Sequence, residues 1–378
     1  MKIVIEDNGL HARFAPITLT RPLGNVRIGM FTNDERWKIG FPSGAIFFKS
    51  EAYLAAKFQE TSEPDLRVNA AVIPNVDVFA AVYNLADGDQ LYFGETWIAT
   101  RGTGMNRIAY LGDEPVILKN RWDIFKCNDK AIKQDFMLYT ADRMSQKIAT
   151  SNTVIGDPNL IFLEEGARVE AAILNTTEGP IYVGKQAEIM EGSIVRGPLA
   201  MGSSSTLKMG AKVYGATTLG PHCKVGGEVS NVVFQAYSNK GHDGFLGNSF
   251  VGEWCNIGAD TNCSNLKNNY GNVSTYSFET GKEEPTNEQF MGICMGDHSK
   301  CGINTMFNTA TVIGVSSNIF GAGFPPKFIP SFSWGGAEKL VPFNYEKAIE
   351  YANNMMKRRG LFLSEAEITI LSFLSTEK

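Results

Sequence analysis

Long apolar runs are missing from this 378-residue chain: none approaches the ~18 residues that a membrane-spanning helix needs. The N-terminus has no signal-peptide pattern, because Glu6 and Asp7 interrupt any apolar core, and a cytoplasmic protein is expected. Excess positive charge is missing too. With 35 Lys and Arg against 40 Asp and Glu, the net charge is −5, which argues against non-specific nucleic-acid binding. The six cysteines (Cys127, Cys223, Cys255, Cys263, Cys294 and Cys301) contain no C-x-x-C pair. Reduced, semi-buried thiols are expected, and no metal site. Glycine, by contrast, is abundant at 38 residues, as suits a chain that turns sharply every few residues.

What the sequence does have is a period of six. Val183, Ile189, Val195, Met201, Leu207, Val213, Leu219 and Val225 are all apolar. At 43% apolar content, eight such residues in a row occur by chance about once in a thousand trials. A second run is Met295, Cys301, Phe307, Ile313 and Ile319, and a third piece is Val251, Ile257 and Cys263. A helix would give a period near 3.6 and a two-faced strand a period of 2. Six is the spacing of a parallel β-helix in which one residue per short strand points inward.

Three regions follow. Residues 1–150 lack the period and read as a small α/β domain. Strands are expected at Lys2–Glu6, Ala45–Phe48, Ala71–Ile73 and Trp97–Ala99, and helices at Ser50–Gln59 and Asp129–Gln146. Residues 151–335 form the solenoid. Two excursions interrupt it, Phe234–Leu246 and Leu266–Met291, and the repeat ends after Pro325-Pro326. Residues 336–378 form a helical tail. One helix runs from Asn344 to Lys357 and stops at Gly360, and a second starts at Ser364 with Glu367 completing a capping box.

Within the solenoid, His242, Gly247, Asn256-Ile257-Gly258-Ala259, Thr261 and Asn265 stand in a recognisable spacing, continued by Met295-Gly296-Asp297 and Gly302. This region resembles the acetyltransferase half of the bacterial bifunctional enzymes of UDP-N-acetylglucosamine synthesis. In those enzymes a glucosamine-1-phosphate N-acetyltransferase is joined to an N-acetylglucosamine-1-phosphate uridyltransferase. The likeness covers about half the chain. Thr20-Arg21-Pro22, Trp122-Asp123-Ile124-Phe125, Lys208-Met209-Gly210-Ala211-Lys212, Ser238-Asn239-Lys240-Gly241-His242-Asp243 and Phe324-Pro325-Pro326-Lys327 are similar to a variant branch with a shortened uridyltransferase-like domain. The resemblance implies a left-handed β-helix, a homotrimer, acetyl-CoA as cosubstrate and an amino-sugar phosphate as acceptor.

Amide formation from an ammonium and a thioester needs a base for the amine and donors for the oxyanion. Histidine titrates near neutrality, and His242 is assigned as general base, by chemistry and by resemblance. Asp243 is a candidate to orient it. Asn256 and Asn265 look like the family's sugar-contacting asparagines, though Asn also caps turns and stacks in β-helix ladders. Ala259, Asn304 and Gly321 match positions along which the family lays the pantetheine arm, and tight turns would use the same small residues. The family's phosphate-binding Lys falls at Ser230 and its Arg at or near Lys212, and Phe245 and Leu266 replace its tyrosines. Arg196, Lys208, Lys240 and Lys267 are other cations available to a phosphate clamp. Lys327, Lys357, Arg358 and Arg359 form a basic cluster suited to coenzyme A phosphates, or a solvated face. His222 and His298 read as turn or surface residues, and His11 is assigned nothing.

The N-terminal domain carries a weaker signal. Active sugar nucleotidyltransferases wrap nucleotide phosphates with a glycine-rich loop, but here Thr20-Arg21-Pro22 has no glycines directly before it. Arg21 is the candidate nucleotide ligand. A nucleoside triphosphate substrate would also bring Mg²⁺, for which Asp89 and Asp123 are candidates. The expected function is acetyl-CoA-dependent N-acetylation of a glucosamine-1-phosphate-like sugar. The alternative is a sugar-1-phosphate nucleotidyltransferase whose β-helix is structural or regulatory.

Overall fold

The computed structural model describes residues 1–377. Residues 181 to 225 set the pattern of the solenoid. Ile181–Val183, Leu199–Met201 and Thr217–Leu219 stack in parallel on a first face, Glu188–Ile189, Thr206–Leu207 and Lys224–Val225 on a second, and Ile194–Arg196 and Lys212–Tyr214 on a third. Leu199 pairs with Thr217, Ile194 with Lys212 and Thr206 with Lys224, an advance of 18 residues per coil. Three sides of six residues make the hexapeptide coil of a left-handed β-helix. All eight residues of the first six-period run lie in its core, each at most 1% exposed.

The two breaks in the period have different causes. At the first the coils shorten rather than protrude. Val229, Phe234, Leu246 and Val251 continue the core, and Lys240 pairs with Val225 in the inward column of the second face. Phe234–Leu246 is therefore part of the coil and not an excursion. A charged residue at an inward position hid the repeat. The second break is an insertion. Val251 pairs with Met295, Ile257 with Cys301 and Cys263 with Phe307, each 44 residues on. The extra chain contains an antiparallel hairpin of Ser274–Ser277 and Lys282–Pro285. Strands continue beyond Pro326, with Phe328–Ile329 on the first face and Ser333–Gly335 on the second.

The N-terminal domain is a six-stranded sheet. Its strands are β1 (Lys2–Glu6), β2 (Ala45–Lys49), β3 (Leu66–Asn69), β4 (Asp89–Phe93), β5 (Thr96–Arg101) and β6 (Asn106–Ala109), in the order β2-β1-β3-β5-β4-β6. The helix expected at Ser50–Gln59 is only a short 3₁₀ turn at Ala52–Leu54. The helix expected at Asp129–Gln146 is α1 (Asn128–Thr140), which stops six residues early. The sheet domain shares a core with the outside of the solenoid's first face, where Val233, Phe250 and Cys294 join Ile3, Ile5 and Val72. Ile132 and Phe136 of α1 pack on Phe162, Tyr182 and Ala200 of the same face.

The tail forms α2 (Tyr345–Lys357) and α3 (Glu365–Thr376). Asn344 caps α2 by accepting the Lys347 N–H, and the Ser364–Glu367 capping box is present. Ala348, Ala352 and Met356, spaced by four, bury one stripe of α2 against a cluster with Trp254, Val315 and Phe332. Gly360, at φ 71°, ends the run, with the Leu361 N–H bonded to the Met356 carbonyl. No helix among the described residues is long and apolar enough to cross a membrane.

Candidate functional site

The end of α2 does not lie flat on the solenoid. It leaves a groove of about 560 Å³ against the second face. The floor is built by the six-period. Lys224, Asn239 and Asn256 each stand one residue before an inward position and so point outward in one column. His242, Gly258 and Ala259 form the rim at the turn toward the third face, and Met355, Arg358 and Arg359 close the other side. The far corner carries an aromatic ladder. His222, Tyr237 and Trp254 all have positive φ, and their rings stack at centroid distances of 4.7 and 4.3 Å. Arg359 donates to the His222 carbonyl at 3.3 Å, which ties the tail to this corner.

Lys208, Lys224, Arg358 and Arg359 all line the groove, and no carboxylate of the described residues does. None of the four is in an ion pair among the described residues, where 18 other pairs form. Burial lowers the Lys224 pKa, and repulsion from Arg359, Lys208 and Arg358 lowers it further. Four like charges held together without a counter-charge are costly unless an anion completes them. His242 is exposed at the end of this cluster, and its side chain has no hydrogen-bond partner among the described residues. The groove thus joins a cluster of four cations to an imidazole that has no hydrogen-bond partner among the described residues.

Of the residues singled out in the sequence, His242, Asn256, Lys208 and Ala259 meet here. Asn304 and Gly321 are not among the lining residues; they lie at the same turn on the following coils, the Asn304 N–H bonding the Ala259 carbonyl. Arg358 and Arg359 belong to the groove, while Lys357 is not among its lining residues. Lys224, Asn239, Tyr237 and Trp254 were missed. The outward column next to the inward register would have identified the first two.

Other candidates lie elsewhere. Lys240 is 1% exposed inside the coil, so it cannot touch a substrate. Asn265 donates to Asn248 on a different face. Arg196 pairs with Glu178 on the third face, where Lys212 also lies. Lys327 is occupied by the Ser274 carbonyl and Glu283, holding the hairpin rather than facing the groove. Asp243 makes no hydrogen bond to His242. His298 is buried at a corner, where desolvation holds its pKa down at about 4. His11, unassigned from sequence, is buried between Asp7 and Tyr53.

Arg21 is a correction of substance. Its guanidinium lies 2.8 Å from Glu253 and 2.5 Å from Asp297, both on the solenoid, and it also donates to Asn25. Thr20 donates to Asp297 as well. The triplet that marks a nucleotide site by resemblance is an interdomain latch, with Arg21 only 4% exposed. Arg27 is likewise committed, to Gln235 and Glu35. Asp89 and Asp123 bind loop N–H groups in separate places, and no cluster of three or more His, Cys, Asp or Glu suited to a cation occurs among the described residues.

Residues 2–144 match the family model described as sugar nucleotidyl transferase. No characterised protein matches the chain by sequence. Among solved structures, the chain is similar to LpxA, a UDP-N-acetylglucosamine acyltransferase from Bacteroides fragilis (12% identity over 60% of this chain and 96% of that one, TM-score 0.29). It is similar also to the UDP-N-acetylglucosamine acyltransferase from Campylobacter jejuni (13%, 61% and 97%, TM-score 0.26). A third is AntD, an N-acyltransferase from Bacillus cereus in complex with dTDP and 3-hydroxybutyryl-CoA (12%, 58% and 100%, TM-score 0.24). Likenesses at this level extend no substrate to this chain.

Proposed function

We propose that this protein is an acyl-CoA-dependent N-acyltransferase acting on an amino-sugar phosphate, with glucosamine-1-phosphate as the type of acceptor and acetyl-CoA as donor. One observation carries the reading: four unpaired cations line a groove that ends at the free imidazole of His242. Both substrates carry phosphate, and Lys and Arg are the groups that bind it. His242 accepts a proton as the amine nitrogen attacks the thioester carbonyl. The C–N bond forms, the C–S bond breaks, and the leaving sulfur takes a proton to become the free thiol. Asn256, whose amide both donates and accepts, faces the same space and suits sugar hydroxyls. The third face is uncovered and exposes Ile155, Ile173, Ile194 and Tyr214, in keeping with the homotrimer that the resemblance implies.

The test is thiol release from acetyl-CoA in the presence of glucosamine-1-phosphate. His242→Ala should lower the rate ~10²–10⁴-fold, the usual loss for a general base. An unchanged rate would overturn the assignment.

The family model over residues 2–144 favours a second reading, a sugar-1-phosphate nucleotidyltransferase. It requires Mg²⁺-dependent pyrophosphate release from a nucleoside triphosphate that His242→Ala leaves intact. The occupied Arg21 weighs against it.

A further inference from the structure

The second face buries Leu207, Val225, Ile257 and Cys301 in one inward column, and Lys240 interrupts it between Val225 and Ile257. A cation in an apolar column is costly, and a well-packed apolar residue there would often be neutral or stabilising. The lysine therefore needs a reason, and its partners supply one. Its ammonium donates to the Gly226 carbonyl at 2.9 Å and to the His242 carbonyl at 3.0 Å. No backbone N–H among the described residues donates to either oxygen, nor do the N–H groups of Gly241 and His242 donate to the backbone. The turn one coil earlier differs. There the Gly226 N–H donates to the Lys240 carbonyl and the Gly227 carbonyl accepts the Lys212 N–H. The peptide that carries His242 is thus held from inside by a side chain rather than by the ladder.

We infer that Lys240 is a positioning residue for His242: it draws the His242 carbonyl into the coil and so fixes the direction in which the imidazole leaves the turn toward the groove. This rests on the proposed role of His242. The charged and titratable neighbours of the ammonium are Asp243 and Asp260, which favour its charge, and Cys301. Burial outweighs them and lowers the Lys240 pKa to about 8, so the ammonium form prevails at neutral pH.

The test compares wild type with Lys240→Met, which fills the column with an apolar chain of similar length, and Lys240→Gln, which keeps a donor. Three readouts are taken: the melting temperature, the kcat and KM of acetyl transfer, and the His242 imidazole NMR resonance, assigned by its loss in His242→Ala. Lys240→Met should melt no earlier than wild type, keep its KM for acetyl-CoA and lose ~10–100-fold in kcat, the scale of a catalytic group displaced by about 1 Å. Its His242 resonance should shift or broaden, and Lys240→Gln should recover part of both effects. A wild-type kcat with an unmoved His242 resonance in Lys240→Met overturns the inference. So does a loss of kcat that merely tracks a loss of folded protein while the resonance of the folded fraction is unmoved. If wild type transfers no acetyl group, the catalytic reading fails, and the resonance alone still decides whether Lys240 orients His242.

Discussion

Arg21→Met separates a latch from a ligand. In the folded chain the Arg21 guanidinium satisfies Asp297 and Glu253, whose side chains are 6% and 20% exposed. Removing it leaves Asp297 with the Thr20 hydroxyl and the Glu253 N–H as donors, but no cation. Breaking a buried ion pair from one side costs about 3–5 kcal/mol, a large fraction of the ~5–15 kcal/mol that holds a typical domain together. Urea unfolding should show a lower midpoint with little change in slope. The deficit also carries a pH signature. Burial alone would raise the Asp297 pKa, but attraction to Arg21 together with the hydrogen bonds from the Glu253 N–H and the Thr20 hydroxyl outweighs it, and the folded value lies below the usual one. A depressed carboxylate contributes stability that is present above its unfolded pKa of about 3.9 and is lost as pH falls through the folded value. In Arg21→Met burial acts unopposed by that cation, so protonating Asp297 becomes the relief. The deficit should be largest near neutrality and shrink as the pH falls through the raised Asp297 pKa of the variant and on down to the depressed one of the wild type. A loss under ~1 kcal/mol, the range of an exposed pair, with weakened binding of a nucleoside triphosphate would refute the latch and restore Arg21 as a nucleotide ligand.

Reversing Arg358 and Arg359 to Glu should weaken acetyl-CoA binding ~100-fold or more, at ~1.5–3 kcal/mol per charged hydrogen bond; calorimetric titration reads both binding and its salt dependence. Because Lys224 is held below its ordinary pKa by burial and by Arg359, Lys208 and Arg358, an incoming polyanion should raise that pKa and cause proton uptake at alkaline pH. Calorimetry in buffers of different ionisation enthalpy detects it, and no uptake would separate Lys224 from the anion. Burial pushes the thiols of Cys223, Cys263 and Cys294 up to about 12 and raises those of Cys255 and Cys301. A disulfide reagent should therefore label at most Cys127 in the native chain and all six cysteines after denaturation.

The periodic part of the molecule was legible because each inward position of a β-helix is filled by one residue type at one spacing, so the pattern from Val183 to Val225 is the core itself. Legibility failed where a residue's chemistry and its register pointed different ways. Lys240 looked like a surface cation beside a catalytic histidine, whereas its place one coil above Val225 puts it inside. The spacing of six from Phe234 to Lys240 to Leu246 continues the inward column through the shortened coils and carries this information. Arg21 and Lys327 failed differently. Each is paired with carboxylates far away in sequence, Asp297 and Glu283, and no local pattern encodes such a pairing. The groove lies between these cases. Half of it, from Lys208 to Ala259, follows from the hexapeptide register. The other half depends on where α2 ends, and the stripe of Ala348, Ala352 and Met356 fixes that only once the hydrophobic cluster around Trp254 exists to receive it. A cationic site built from two parts so far apart in the chain forms only when the tail has docked. Cutting the chain before Asn344 should therefore abolish anion binding at the groove while leaving His242 and its coil in place.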